Sequence, residues 1–242
     1  MNNRFFEEGI KRQQLNLLFV IDQSGSMDGE KIGAVNNAIR DVMSIMPEIQ
    51  EDTADADIMI SAMTFSDSAK WVYSEPKSID QFKWSDIKAD AGTNYSIAYD
   101  ELAKFLTKKS NGGQMPDIGG VSPIIILMSD GMPTSPDWEK HLDNLKKKGW
   151  FKVALKYALA IQIDTKEAMD ILTSFTGNPE TVLKVYTAEA LRKVIKAIAI
   201  TASKVKSSSS MINSSTGEIK TKEEVAIEEI NEQLDDINDV EW

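Results

Sequence analysis

The chain has 242 residues, 42% of them apolar and 27% charged, with no cysteine, a single histidine and a formal net charge of −11. This is enough apolar material for one large domain or two small ones. Disulfides and thiolate metal sites are excluded, zinc or iron sites of the His-rich kind lack ligands, and the acid excess argues against a nucleic-acid binder, which needs a basic face.

The stretch MNNRFFEEGIKRQQ at the start contains no apolar run of signal-peptide length. Nor do about 18 apolar residues run together anywhere, so no membrane span is expected and the cytoplasm is the expected location. Residues 1–11 read as an N-terminal extension. Buried strands are expected at 15–21 (LNLLFVI), 57–65 (DIMISAMTF), 121–129 (VSPIIILMS) and 153–163 (VALKYALAIQI), with a shorter one at 181–186 (TVLKVY). Helical spacing separates them. Ile32, Val35, Ile39, Val42 and Met46 mark one helix face, and Ile97, Leu102, Phe105 and Leu106 mark another. DWEKHLDNLKKK, TKEAMDILTSF and AEALRKVIKAIAITASKV are further helices. Within the first of these, His141 reads as a surface residue and KKK at 146–148 as a helix-end feature. AKWVYSEP (69–76) follows Ser-Asp-Ser directly after a strand and reads as the return arm of a hairpin.

Alternating strands and helices imply an α/β fold: a Rossmann-like, doubly wound, mainly parallel central sheet with one antiparallel edge strand and helices on both faces. That domain spans 12–206. A Ser-rich linker follows at 207–220, and then an acidic amphipathic helical tail at 221–242, with Ile227, Ile230, Leu234 and Ile237 along one face. The charge is concentrated there. Residues 218–242 hold ten acidic and two basic residues, a net −8, which leaves −3 for residues 1–217.

The first strand ends in an unexpected way. VIDQSGSM (20–27) places Asp22 at the end of a buried run, where an unpaired carboxylate is costly. Ser24 and Ser26 follow around Gly25. Two more polar points fall near the same carboxyl edge of the sheet, where doubly wound folds bind ligands. One is the loop ADAGTNYS, carrying Thr93 before a helix; the other is SDGMPTS, where Asp130 follows a strand. Together they offer two carboxylates and three hydroxyls with no nitrogen or sulfur, a set suited to a hard cation such as Mg²⁺ or Mn²⁺. Gly25 and Gly92 allow tight turns around it.

In that order, Asp22-x-Ser24-x-Ser26, Gly92-Thr93 and Asp130-Gly131 resemble the metal-ion-dependent adhesion site (MIDAS) of von Willebrand factor A (VWA) domains. The resemblance covers roughly residues 12–206. VIDQSGSM, AGTNYSIAYDEL and ILMSDGMPTSPDWEK look closest to bacterial intracellular VWA proteins associated with tellurium resistance (TerY-like). The resemblance implies that Ser24 and Ser26 bind the metal through their hydroxyls, and that Thr93 binds directly or through water. Asp22 and Asp130 are implied to act mainly through water, or one of them directly. A Glu or Asp of a protein partner then completes the coordination of Mg²⁺, with Mn²⁺ or Ca²⁺ possible in its place. The relatives also imply a stress-response or phosphorylation-linked complex, with kinase-like or PP2C-type phosphatase proteins as partners.

Two other readings stand beside a non-enzymatic binding module. Asp22 with Mg²⁺ and Asp130 fits an aspartyl-phosphate-type phosphotransfer enzyme, but Ser24 stands where such enzymes carry a second acid and no lysine is identifiably placed near a phosphate. Alternatively, the protein is a scaffold acting through its acidic tail. No Gly-x-x-x-x-Gly-Lys loop or Gly-x-Ser-x-Gly elbow is present.

Overall fold

A computed structural model describes residues 12–205 apart from 54–55, 119 and 164, together with 211–212, 219–220, 224–225, 228 and 240–241. The chain forms β1 (Gln13–Asp22), α1 (Glu30–Asp52), β2 (Ala56–Phe65), β3 (Ala69–Trp71), β4 (Lys77–Ser78), α2 (Tyr95–Phe105), β5 (Ile124–Ser129) and α3 (Trp138–Lys146). It continues through α4 (Gly149–Val153), β6 (Leu155–Ile161), α5 (Lys166–Thr176), β7 (Val182–Val185), α6 (Ala188–Val205), β8 (Met211–Ile212), β9 (Ile219–Lys220) and β10 (Val240–Glu241).

The main sheet runs β10-β7-β6-β5-β1-β2-β3, with β4 also on β2. Its interior pairings, β7 to β2, are all parallel. β3 and β4 join β2 antiparallel, as the hairpin reading of 69–76 requires. The opposite edge is antiparallel too, because Val240 and Glu241 pair with Val185 and Lys184. The sheet therefore carries antiparallel strands at both edges rather than at the one expected.

β1 lies between β2 and β5 and is buried along its last eight residues. Alternation sends its side chains into two cores. Leu15, Leu17, Phe19 and Ile21 pack with Val35, Ile39 and Val42 of α1 and Leu191, Val194 and Ile195 of α6. Leu18 and Val20 pack with Tyr95 and Leu102 of α2, Leu142 of α3 and Leu172 of α5. A strand covered on both faces needs apolar residues at every position, which is why LNLLFVI is continuous rather than alternating. One expected strand is shorter than its apolar run. Val153 closes the short helix α4, and the strand starts at Leu155.

The chain leaves β1 for β2 and β3, then returns to the other side of β1 as β5. The strand order therefore reverses between β1 and β5, the point where an open α/β sheet leaves a crevice at its carboxyl edge. Ile21 pairs with Met128, so Asp22 and Ser129 face each other at the lip of that crevice.

The N-terminal extension (1–11) lies outside the described residues, as do most of the Ser-rich segment and the acidic tail. Within the latter two, β8 and β9 pair antiparallel, and Glu224, Val225 and Glu228 are helical.

His141 does more than face solvent. Its Nδ1 lies 2.8 Å from Asp100 of α2 and its Nε2 3.3 Å from Asp137, at the start of α3. The hydrogen bond to Asp100, helped by Asp137, raises the imidazole pKa above its ordinary value. Charged His141 therefore stabilises the α2–α3 contact fully below its unfolded-state pKa, and this contribution fades as pH rises through the folded-state value. Thermal melts of His141→Gln are expected to fall below wild type at about pH 5.5 and to coincide with it at about pH 9. An equal loss at both pH values would assign the residue a packing role only.

Candidate metal centre

Three loops meet at the crevice, and backbone hydrogen bonds fix them to one another. From the first loop, Gln23 N donates to Phe65 O at 2.9 Å and Gly25 N donates to Ala91 O at 2.9 Å. Asp90 N donates back to Gln23 O at 2.6 Å, and Asn94 N to Ser66 O at 2.9 Å. From the third, Thr134 N reaches Thr93 O at 2.8 Å. Glycines stand where these approaches are close. A Cβ on Gly92 would stand 2.4 Å from Asp67 Oδ1, and one on Gly25 would stand 3.3 Å from Ala91 O.

Asp22 is fully buried at the tip of β1. Its Oδ1 accepts from Ser24 N at 2.8 Å and its Oδ2 from Ser129 Oγ at 2.6 Å. Burial dominates the environment of this carboxyl and raises its pKa; the hydrogen bonds from Ser129 and Ser24 oppose that, and nearby Asp130 adds to it. Ser129 is in turn held by Tyr95, whose hydroxyl donates to Ser129 Oγ at 2.7 Å and lies 3.2 Å from Gly131 O. Burial keeps the Tyr95 phenol protonated far above the usual range.

The hydroxyls continue outward. Ser24 Oγ, itself buried, lies 3.0 Å from Ser26 Oγ, and Ser26 Oγ donates to Asp130 Oδ1 at 2.7 Å. Asp130 Oδ2 accepts from Lys31 Nζ, and the Asp130 carboxylate is wholly covered. Thr93 Oγ1 and Ser26 Oγ flank Gly131 from two sides, each 3.6 Å from where a Cβ on that glycine would sit. Of the five residues singled out in the sequence, Asp22, Ser24, Ser26 and Asp130 are joined by hydrogen bonds, and Thr93 stands with Ser26 beside Gly131. They are the groups that could hold a cation. Among the described residues no set of three or more carboxylates or imidazoles is grouped for a metal, so any ion here would depend on hydroxyl oxygens.

Three participants escaped the sequence reading. Ser129 closes the strand run VSPIIILMS and Tyr95 opens a helical run, so neither stands out from the sequence as a site residue. Lys31 is the third: its ammonium pairs with Asp130, one of the two carboxylates, and no contact joins it to Asp22. The register of β1 on β5 could have flagged Ser129 once the strands were aligned, and a lysine in the turn after a Ser-rich loop is a weak signal for Lys31.

A model of the von Willebrand factor type A domain matches residues 16–197. The chain belongs to that family. Among curated proteins, this VWA chain is 28% identical over 136 residues to human inter-alpha-trypsin inhibitor heavy chain H4 and 31% identical over 140 residues to mouse inter alpha-trypsin inhibitor heavy chain 4. Each match takes in 54% of this chain and 14% of the relative, so the chain spans about a seventh of their length. Among solved structures, the pilus adhesin SpaC of Lactobacillus rhamnosus GG in its open conformation superposes with a TM-score of 0.62 at 15% identity, over 80% of this chain and 30% of that one. Proximal thread matrix protein 1 of the mussel byssus, in a structure with a zinc-occupied MIDAS motif, gives 0.58 at 14% identity over 79% and 48%. The ArnB paralog VWA2 of Sulfolobus acidocaldarius gives 0.53 at 23% over 76% and 44%. At these identities the structural matches establish the fold.

Ser129→Ala would remove a buried donor from Asp22 and leave the carboxylate with Ser24 N alone. The expected cost is about 1–3 kcal/mol of unfolding free energy in chelator-treated protein, read from urea denaturation. A change below about 0.5 kcal/mol would mean that Ser129 does not support Asp22.

Proposed function

We propose that this VWA domain is a divalent-metal-dependent protein–protein interaction module, with Asp22, Ser24, Ser26, Thr93 and Asp130 as its MIDAS. The observation that carries this reading is Asp22, a carboxylate with no exposure and only neutral donors around it. An uncompensated buried charge is expensive, and a cation at the crevice relieves it. The oxygen spacing supports the same reading. An octahedral ion with metal–oxygen distances of about 2.1 Å separates neighbouring ligand oxygens by about 3.0 Å. Ser24 Oγ and Ser26 Oγ are 3.0 Å apart. An all-oxygen donor set favours Mg²⁺, with Mn²⁺ or Ca²⁺ as substitutes. The zinc in the mussel protein's MIDAS supports a divalent ion at this place in the fold.

In this reading Ser24 and Ser26 hold the ion through neutral hydroxyls while Asp22 and Asp130 balance its charge from behind. The bound ion then supplies an electrophilic vertex for a Glu or Asp of the partner protein. Exposed Met132, on the third loop, adds an apolar contact at the rim.

The module is non-enzymatic. A phosphotransfer nucleophile must reach its substrate, whereas Asp22 is sealed and both of its oxygens are engaged. Lys31 is paired with Asp130 rather than aimed at Asp22. The wider setting is a bacterial, cytoplasmic stress-response or phosphorylation-linked complex with kinase-like or PP2C-type phosphatase partners. It rests on the likeness of VIDQSGSM, AGTNYSIAYDEL and ILMSDGMPTSPDWEK to TerY-like proteins.

Mg²⁺ added to chelator-stripped protein is expected to raise the unfolding free energy by RT ln(1 + [Mg²⁺]/Kd), about 2.7 kcal/mol at a hundredfold excess over Kd, and the melting temperature with it. Asp22→Asn, which keeps the shape and removes the charge, should melt at or above stripped wild type and gain nothing from Mg²⁺. An equal Mg²⁺-dependent gain in both proteins would remove Asp22 from the site. Partner recovery by affinity purification should fall on chelation and in Ser24→Ala alike; recovery unchanged in both would contradict the adhesion reading.

A further inference from the structure

Asp130 differs from Asp22 in one respect: it has a cation of its own. Its Oδ1 takes the Ser26 hydroxyl and its Oδ2 takes the Lys31 ammonium, so an ion drawing on this carboxylate shares it with a charge already in place. Lys31 is the second residue of α1, in the first turn, where the helix dipole disfavours a cation. Its place there is balanced by the carboxylate it meets. The Asp130 side chain is fully covered while that of Lys31 keeps 24% of its surface exposed, so the ammonium reaches in from the rim on a flexible four-carbon stem and has solvent to return to. With both carboxylates ionised, Asp22, Asp130 and Lys31 together sum to one negative charge.

We propose that Lys31 is a tethered substitute cation for Asp130, seated in the metal-free domain and released to the rim when the site takes up a divalent ion. The inference rests on the metal-site reading above. Its consequence is a threshold. Lys31 lowers the affinity of the site for the ion by competing for Asp130, and keeps the metal-free domain folded by pairing a buried charge. Once released, the ammonium stands beside the vertex where a partner carboxylate enters, so the loaded site turns from net negative to net positive and presents two cations to an acidic side chain. The domain thereby passes between a self-paired state and a carboxylate-binding state as the free ion concentration changes.

Two measurements test this. In the first, wild-type protein is acylated with an N-hydroxysuccinimide ester, with chelator or with saturating Mg²⁺, and labelling is followed residue by residue by peptide mass spectrometry. Lys31 labelling is expected to quicken several-fold with Mg²⁺ while exposed Lys140 on α3 stays constant. In the second, Mn²⁺ is titrated calorimetrically into wild type and Lys31→Met. The variant should bind roughly tenfold tighter, from removal of a competing charge a few ångströms away, and its chelator-treated form should melt lower than wild type. Mn²⁺ binding by Lys31→Met alone also supports the proposal. Ion binding with Lys31 labelling unchanged overturns it and leaves the metal-site reading standing. Binding by neither protein overturns both.

Discussion

The Asp22 carboxylate sits at the buried end of β1, a strand covered on both faces, and the surrounding polar architecture follows from having to keep it there. Desolvating a carboxylate costs several kcal/mol unless hydrogen bonds or a cation compensate. The chain supplies the hydrogen bonds from two directions, the Ser24 amide within the same loop and the Ser129 hydroxyl across the β1–β5 register. Tyr95 then fixes Ser129 by donating to it, and so ties α2 to the same point. These donors are neutral and lower the cost without removing it. The remaining demand for positive charge is what makes the crevice a candidate ion site rather than an ordinary polar turn.

The fold sets where this demand arises. Reversal of strand order at β1 opens the carboxyl edge of the sheet between β1 and β5. Each of the three loops leaves that edge from a different strand or precedes a helix that packs on it. The hydroxyls of Ser24, Ser26 and Thr93 are neutral, so an ion held through them keeps most of its charge for a visitor. The VWA architecture makes the arrangement possible, but the particular residues at the loop tips decide what the crevice does. Lys31 illustrates this: its ammonium pairs with Asp130, a contact that the backbone alone does not dictate.

Much of this could be read from the residues. LNLLFVI and PIIILMS announced strands buried on both faces, and the helix faces marked by Ile32, Val35 and Ile39 pack as their spacing requires. The DQSGS, AGTN and SDG clusters drew attention because oxygens gathered at strand ends have no packing use. What stayed hidden depends on contacts distant in sequence. Ser129 sits in a buried strand like any small residue until the β1–β5 register sets it against Asp22. Lys31 and Asp130 are 99 residues apart, and neither local pattern indicates the other. The short helix α4 was obscured because the apolar run VALKYALA continues across the helix–strand junction, and hydrophobicity alone does not separate the two. The antiparallel pairing of Val240 on β7 had no signal, since two residues are too few to show a period.

The central claim is that oxygens from three separate loops hold one divalent ion. Anomalous diffraction from crystals grown with Mn²⁺ tests it most directly. The account predicts a single strong peak at the crevice, about 2.0–2.2 Å from the hydroxyl oxygens of Ser24 and Ser26, with Thr93 facing it and Asp22 and Asp130 behind. A crevice without a peak at saturating Mn²⁺, or an ion bound only at carboxylates elsewhere on the surface, would contradict it.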